Sequence, residues 1–387
     1  MREFIDGATA VARAALDAGC DFFAGYPISP ATPLLLHMVR ELPRCGGVAI
    51  QTEDEIAAIS MCIAAAMTGR RALTATSGPG ISLYSENIGL AIMGEVPLVI
   101  VDVQRMGPAT GGATTPGQGD VQFVRWSTSG GYPIIALAPG SVAECYSLTR
   151  RAFDLAERFR APVFLLTDKE IFLSMSTVAL DSYEYPPVRP RALAPAQMDE
   201  PYAPYRPGPD HTAPLFSPIG GPHIVRFTGS SHDARGFLTK DPATVGRLNE
   251  HLWRKIEDHV AEIELAQADL QADACTLFIA YGITARAMAE AVRQVRASGR
   301  AVSALNVQTL WPIPERTLLQ ALAASADGPR AVTRIVVAEL NLGDLRREVE
   351  RVIYRWAATT GRRAPEIIGL NRLDGEMITP EQFMVFV

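Results

Sequence analysis

Short apolar runs alternate with helical spacing along the first 170 or so residues. DFFAG, GVAIQ, ALTATS, PLVIVDV, YPIIAL and PVFLLTD read as strands, with helices predicted between them near 7–18, 31–42, 53–68, 81–93 and 141–158. Strands that are apolar throughout and separated by helices imply a parallel sheet covered on both faces. The alternation then stops. From Pro186 to Pro222 prolines crowd in (PPVRP, PYAPYRPGP, APLFSPIGGP) and no helical period survives. Disordered segments are poor in aromatics, so Tyr183, Tyr185, Tyr202, Tyr205 and Phe216 predict an arm lying against another surface. A helix over about 243–267 closes the arm. A second alternation follows: CTLFIAYG, a helix to about 297, AVSALNV, a helix after Pro314, RIVVAEL and a helix from about 344. The pattern predicts an α/β protein of two Rossmann-like parallel-sheet domains, 1–182 and 243–387, joined by a Pro-rich arm over 183–242.

Composition narrows the class. A hydrophobic content of 48% with 20% charged residues fits a well-buried globular chain of 387 residues. The net charge of -6 argues against a nucleic-acid surface. No uncharged apolar stretch reaches spanning length, and the N-terminus reads as an amphipathic helix rather than a signal peptide, so a cytoplasmic protein off the membrane is expected. Five dispersed cysteines form no CxxC pair, so this chain alone should hold neither structural zinc nor an iron–sulfur cluster. Cys62 and Cys275 read as small core residues. GxSxG, HExxH and Walker A motifs are absent, and no histidine lies between residues 38 and 210.

In open parallel sheets ligands gather at the carboxyl ends of strands. Those ends carry GYPISPATP, TEDE (52–55), TSGPG (76–80) and QRMGPATGGATTPGQGD (104–120). The first is heavily stiffened by proline. Glu55 admits two readings. Thr52 through Glu55 fits a capping box, with Glu55 at the third helical position. Alternatively, the apolar run IAAISMCIAAAM predicts a helix buried all round, and a carboxylate at its mouth is costly without a partner and a candidate for chemistry. Arg105 is either a surface arginine or a fork for a carboxylate or phosphate. Ser29 is a loop hydroxyl that could donate to the same anion. Gly343–Asp344 followed by Asn371 loosely matches a thiamine-diphosphate metal motif, but the glycine expected after the aspartate is Leu345, and RREVERVIYRW reads as a plain amphipathic helix.

Taken in order, GYPISPATP, TEDEIAAI, TATSGPGISLYSENIG, VDVQRMGPATGG, PGQGDV and AFDLAERFRAPVFLLTD resemble the α subunit of 2-oxoacid:ferredoxin oxidoreductases, in its separate-α form. The resemblance continues through TGSSHDARG, LWPIPE and VVAELN, and so spans nearly the whole chain. It implies a thiamine-diphosphate pyrimidine-binding domain followed by a transketolase C-terminal-like domain. It implies that Glu55 contacts the aminopyrimidine and favours its imino tautomer, that Ser77 and Gly78 border the cofactor, and that Arg105 and Ser29 hold the substrate carboxylate on a loop formed by Tyr26, Pro27 and Ile28. The implied activity is CoA-dependent oxidative decarboxylation of a 2-oxoacid. Implied partners are a β subunit carrying Mg2+, the diphosphate site and a [4Fe-4S] cluster, γ/δ-type subunits, and ferredoxin or another electron acceptor. Two departures stand out. WSTSGG (126–131) lacks a histidine and an acid expected there, which leaves room for an apolar or aryl 2-oxoacid beside 2-oxoglutarate, and ELNLGDL departs from the usual glycine–glutamine ending. A transketolase or 2-oxoacid dehydrogenase E1-type component, or a non-catalytic α-like assembly subunit, is also compatible with these loops.

Overall fold

The structure is a computed structural model that describes residues 2–113, 115–180, 185–326 and 331–387. Fourteen strands are found among them: β1 Glu3–Ile5, β2 Phe22–Gly25, β3 Val48–Gln51, β4 Ala72–Thr76, β5 Leu98–Gln104, β6 Ile135–Leu137, β7 Pro162–Asp168, β8 Ser176–Val178, β9 Ala266–Asp269, β10 Thr276–Ala280, β11 Ser303–Val307, β12 Thr309–Trp311, β13 Arg334–Glu339 and β14 Glu366–Asn371. They build two main sheets, ordered β12-β6-β7-β5-β4-β2-β3 and β14-β13-β10-β11-β9, plus the small ribbon β1-β8. All pairings within the two main sheets are parallel except those of β12 with β6 and β9 with β11. The two Rossmann-like sheets expected from the alternation are therefore present.

The first sheet is anchored by β5 and β7, which pair over seven positions with every residue buried. Helices cover both faces, so residues of alternate parity feed two separate cores: Ile100, Phe164 and Leu166 on one side, Val99, Val101 and Leu165 on the other. Full burial of each such side chain contributes about 1.5–3 kcal/mol. Strand β3 differs from its sequence reading as a buried strand: it lies at the sheet edge with Val48 exposed.

Two further expectations fail in the second half. The helix predicted to run to 267 ends at Glu257. It starts on Asp241, whose carboxylate accepts from the Thr244 N–H, with Pro242 in its first turn. A short turn Val260–Ile263 follows, and then β9 pairs antiparallel with β11, Leu305 opposite Ala268. Ala and Gln in AQAD favour helix, but the open edge of β11 overrides a preference worth tenths of a kcal/mol per residue. Second, β12 joins the first sheet rather than the second, beside β6, so a C-terminal segment completes the N-terminal sheet. Cys275 is only partly buried, unlike Cys62.

The arm lies against the body, as its aromatics predict. Phe216 and Tyr205 are buried, and Tyr185 packs on Tyr146 with ring centroids 4.8 Å apart. Arg191 grips Glu157 with bonds of 2.7 and 2.9 Å, and Arg189 holds Asp154 the same way. Tyr183 falls outside the described residues.

Candidate active site

The helix Glu55–Met67 begins at the carboxyl end of β3, and its cap decides how Glu55 is used. Asp54, not Thr52, is the N-cap: its carboxylate accepts from the Ala57 N–H at 2.7 Å. Thr52 instead donates its hydroxyl to the Asp54 carbonyl. Glu55 thus stands at the first helical position, and the predicted capping box does not form. Its carboxylate turns inward, 7% exposed, toward Gly80 and Thr76. A Cβ on Gly80 would lie 2.2 Å from the Thr76 hydroxyl and 2.7 Å from Glu55 Oε1, so only glycine leaves this recess open. Among the described residues the Glu55 carboxylate makes no hydrogen bond or ion pair.

The helix is not buried all round. Ile56, Ser60, Met61 and Ala64 form an exposed face, while Ile59, Cys62, Ile63 and Ala66 enter the core. Leu83, Leu36 and Val39 are exposed as well.

Arg105 directly follows β5 and is 5% exposed, which removes the surface reading. It lies over Gly78, where an added Cβ would be 2.7 Å from its Nε, and donates through Nη1 to the Ser29 carbonyl. The stiff loop and the buried guanidinium are thereby tied together. Ile28 packs against the core, Tyr26 and Pro27 are half-buried, and the Ser29 side chain is exposed before a cis Pro30. Ser77 is fully buried next to Gly78. The structure therefore gathers Ser29, Ser77, Gly78 and Arg105 into one place, with Glu55 bordering it through Thr76 and Gly80.

Within this place buried polar atoms lack protein partners: the hydroxyls of Thr76 and Ser77, Nε of Arg105 and Nε2 of Gln104. Such groups cost about 1–3 kcal/mol each when left unpaired, and their concentration marks a surface shaped for a ligand. Sequence reasoning passed over three neighbours. Asp102 is fully buried in β5, opposite Thr76 in register, and neither of its oxygens accepts a hydrogen bond. Asp120 reaches it from the 104–120 loop, and Gln104 Oε1 accepts from the Asp120 N–H. A lone aspartate inside the apolar run PLVIVDV is the signal that could have found this group.

The second sheet meets the first at another polar cluster. Gln118 Oε1 accepts from the Leu340 N–H at 2.9 Å, and its carbonyl accepts from Asn341 Nδ2 at 2.7 Å. Asn341 Nδ2 also donates to the Tyr281 hydroxyl, while its Oδ1 accepts from the N–H groups of Gly343 and Asp344. Glu339 accepts from the N–H groups of Leu345 and Arg346, and burial pushes its carboxyl up to about 7. Asp168, likewise pushed up to about 7 by burial, accepts from the Ile283 N–H and so docks on the start of helix Gly282–Ala297. The segment that loosely matched a metal motif is thus a helix cap. Asn371 donates to the Asn341 carbonyl, Asp344 pairs with Arg347, and no group of three candidate ligands occurs among the described residues. A cavity of about 960 Å³ between the arm and helix Pro242–Glu257 shares no residue with either cluster.

Comparison with known proteins bears on this geometry. Residues 13–248 match the family described as pyruvate flavodoxin/ferredoxin oxidoreductase, thiamine diphosphate-binding, and residues 274–383 match pyruvate:ferredoxin oxidoreductase core domain II. The 2-oxoglutarate synthase subunit KorA of Methanocaldococcus jannaschii is 39% identical over 381 residues, covering 98% of this chain and 97% of that one. The ketoisovalerate oxidoreductase subunit VorB of Methanothermobacter thermautotrophicus is 34% identical over 380 residues, 97% and 94% of the two chains. Among solved structures, the 2-oxoglutarate:ferredoxin oxidoreductase from Magnetococcus marinus superimposes with a TM-score of 0.88 at 28% identity over all of this chain, which spans 64% of its length. A split-gene transketolase, 11% identical with a TM-score of 0.55 over 99% of this chain and 97% of that one, shares the fold. No helix among the described residues is long and apolar enough to cross a membrane. With matched segments that cover the sheets bearing both clusters, and relatives aligned along nearly its whole length, this chain belongs to the α subunits of the 2-oxoacid:ferredoxin oxidoreductases.

Proposed function

We propose that this chain is the α subunit of a CoA-dependent 2-oxoacid:ferredoxin oxidoreductase whose substrate is 2-oxoglutarate. The observation that carries the reading is the Glu55 carboxylate, buried and unpartnered beside the orphaned Thr76 hydroxyl. These groups fit a polar heteroaromatic ring. The carboxylate can hold a proton on a ring nitrogen, and the recess above Gly80 allows close approach. Thiamine diphosphate, when bound, supplies the acidic carbon that adds to the 2-oxo group and retains the electron pair left by loss of CO2.

The chain's own residues have distinct tasks in this reading. Glu55 holds and releases the proton at the pyrimidine nitrogen. Arg105, fixed by the Ser29 carbonyl, offers the rest of its fork to the substrate carboxylate. The exposed Ser29 hydroxyl donates beside it. Ile28 and the prolines keep that hydroxyl from drifting. The apolar exposed face made by Ile56, Met61 and Leu83 next to Glu55 supports closure of the site by a partner subunit, because a solvent face there would carry charge. That β partner would hold Mg2+, the diphosphate and a [4Fe-4S] cluster. That cluster would carry the two electrons singly to ferredoxin or a similar acceptor, and CoA would be the acyl acceptor.

The test is anaerobic co-purification of the chain with its partner, with iron, thiamine diphosphate and subunit masses determined together, then a panel of 2-oxoacids. Iron, cofactor and CoA-dependent turnover of 2-oxoglutarate are expected. Preference for an apolar or aryl 2-oxoacid would move the substrate and keep the chemistry. A cofactor-free chain running alone would end the reading.

A further inference from the structure

Asp102 and Asp120 stand behind Arg105, and nothing in the preceding mechanism uses them. Asp102 is fully buried on β5, and its two oxygens receive no hydrogen bond from any described donor. Asp120 Oδ2 is buried and equally without a donor, yet the two carboxyl groups lie within hydrogen-bonding reach of each other. Two ionised carboxylates cannot share such a place, whereas one proton between them satisfies both. Burial and the neighbouring Asp120 hold Asp102 well above the usual carboxylate range. Burial pushes Asp120 up to about 6, against the opposing pull of Asp102 and Arg105.

The charged and titratable groups facing the pair are few. Arg105 at the end of β5 draws both acids down, and Asp344 at the head of helix Asp344–Thr360, itself paired with Arg347, pushes Asp120 up. The buried Tyr84 phenol senses both Asp102 and Glu55. Arg105 is thus the positive charge that lets the pair keep a single negative charge.

Resting on the substrate reading above, we propose that Asp102 and Asp120 form a proton-holding pair that positions and charge-balances Arg105, keeping one proton in the free site and taking up a second when a 2-oxoacid carboxylate is seated on the guanidinium. The sign follows from the charges. An anion on Arg105 cancels the field that stabilises the pair's negative charge, so the affinity of the pair for its second proton rises. By linkage, substrate binding weakens as pH climbs above the free pair's lower titration, that of Asp120 near 6, by up to about tenfold per pH unit until the liganded pair also ionises. Below that titration the pair is already neutral and the dependence vanishes.

The experiment uses the assembled complex with thiamine diphosphate and without CoA. N-oxalylglycine serves as the probe, because its amide carbonyl resists addition and both its carboxylates are ionised at neutral pH. Its binding enthalpy is measured at pH 7 in buffers of different ionisation enthalpy, which counts protons taken up. Uptake approaching about one proton per site is expected for the native complex. Asp120→Asn and Asp102→Asn should each abolish it, and either suffices if the other fails to assemble. Binding with no buffer dependence, or uptake that survives both substitutions, overturns the proton pair and leaves the substrate reading intact. Failure of the native complex to bind the probe overturns the 2-oxoglutarate assignment together with the inference.

Discussion

Two polar clusters lie at the carboxyl ends of the two sheets, and they are built on opposite terms. Around Asn341 the side chains of Gln118, Tyr281, Asn341 and Glu339 and the first N–H groups of helix Asp344–Thr360 close on one another. Around Glu55 and Arg105 the hydroxyls of Thr76 and Ser77, Nε2 of Gln104 and Nε of Arg105 are left open. A closed network rigidifies the seam between sheets. An open one costs stability that a ligand can recover. The contrast teaches that burial of polar residues does not by itself mark a functional site; burial with unmet hydrogen-bonding capacity does.

Glu55→Gln should break the open cluster most. The substitution is isosteric and removes no hydrogen bond or ion pair made among the described residues, so assembly and stability should be retained. Gln can no longer hold the transferable proton, and kcat of the complex, followed as 2-oxoacid-dependent reduction of a viologen dye, should fall by roughly 10²–10⁴-fold. Undiminished turnover would favour a non-catalytic, assembly-only α subunit.

Arg105→Lys should cost less. Lysine keeps the charge but loses the fork, and with it simultaneous contact to the Ser29 carbonyl and a substrate carboxylate. Loss of one charge-assisted hydrogen bond is worth about 1.5–3 kcal/mol, so kcat/KM should drop by roughly 10- to 100-fold, carried mainly by KM. A fall in kcat with KM unchanged would place Arg105 with the cofactor instead of the substrate.

The sequence carried the outline of this contrast but not its sense. Strands β5, β7, β10 and β13 were legible because central parallel strands are apolar throughout. Strands β9 and β12 were not, since their pairing with β11 and β6 is long-range and their own residues carry no strand signal strong enough to oppose helix or loop. Ser29, Glu55, Ser77, Gly78 and Arg105 came from loop composition and order. The capping-box reading of Glu55 fell only when Asp54 proved to be the cap, a matter of side-chain direction that one residue of register reverses. Asp102 and Asp120 lie apart in sequence, and only the crossing of the 104–120 loop over β5 brings them together.

Asn341→Ala tests the closed cluster and should have the smallest effect on chemistry. Alanine strands the Gly343 and Asp344 N–H groups and the Gln118 carbonyl, all at the seam between sheets. Each unmet group costs about 1–3 kcal/mol, though water admitted into the gap would recover part, so a net loss of about 2–4 kcal/mol is expected. In a chain of this size that corresponds to a fall in Tm of roughly 2–5 °C by calorimetry. Turnover per bound thiamine diphosphate should be unchanged below the transition, because Asn341 touches none of the open groups around Glu55. The reverse result, a native Tm with lost turnover, would mean that the closed cluster also serves the reaction. Satisfied hydrogen bonding would then no longer separate scaffold from site in this subunit.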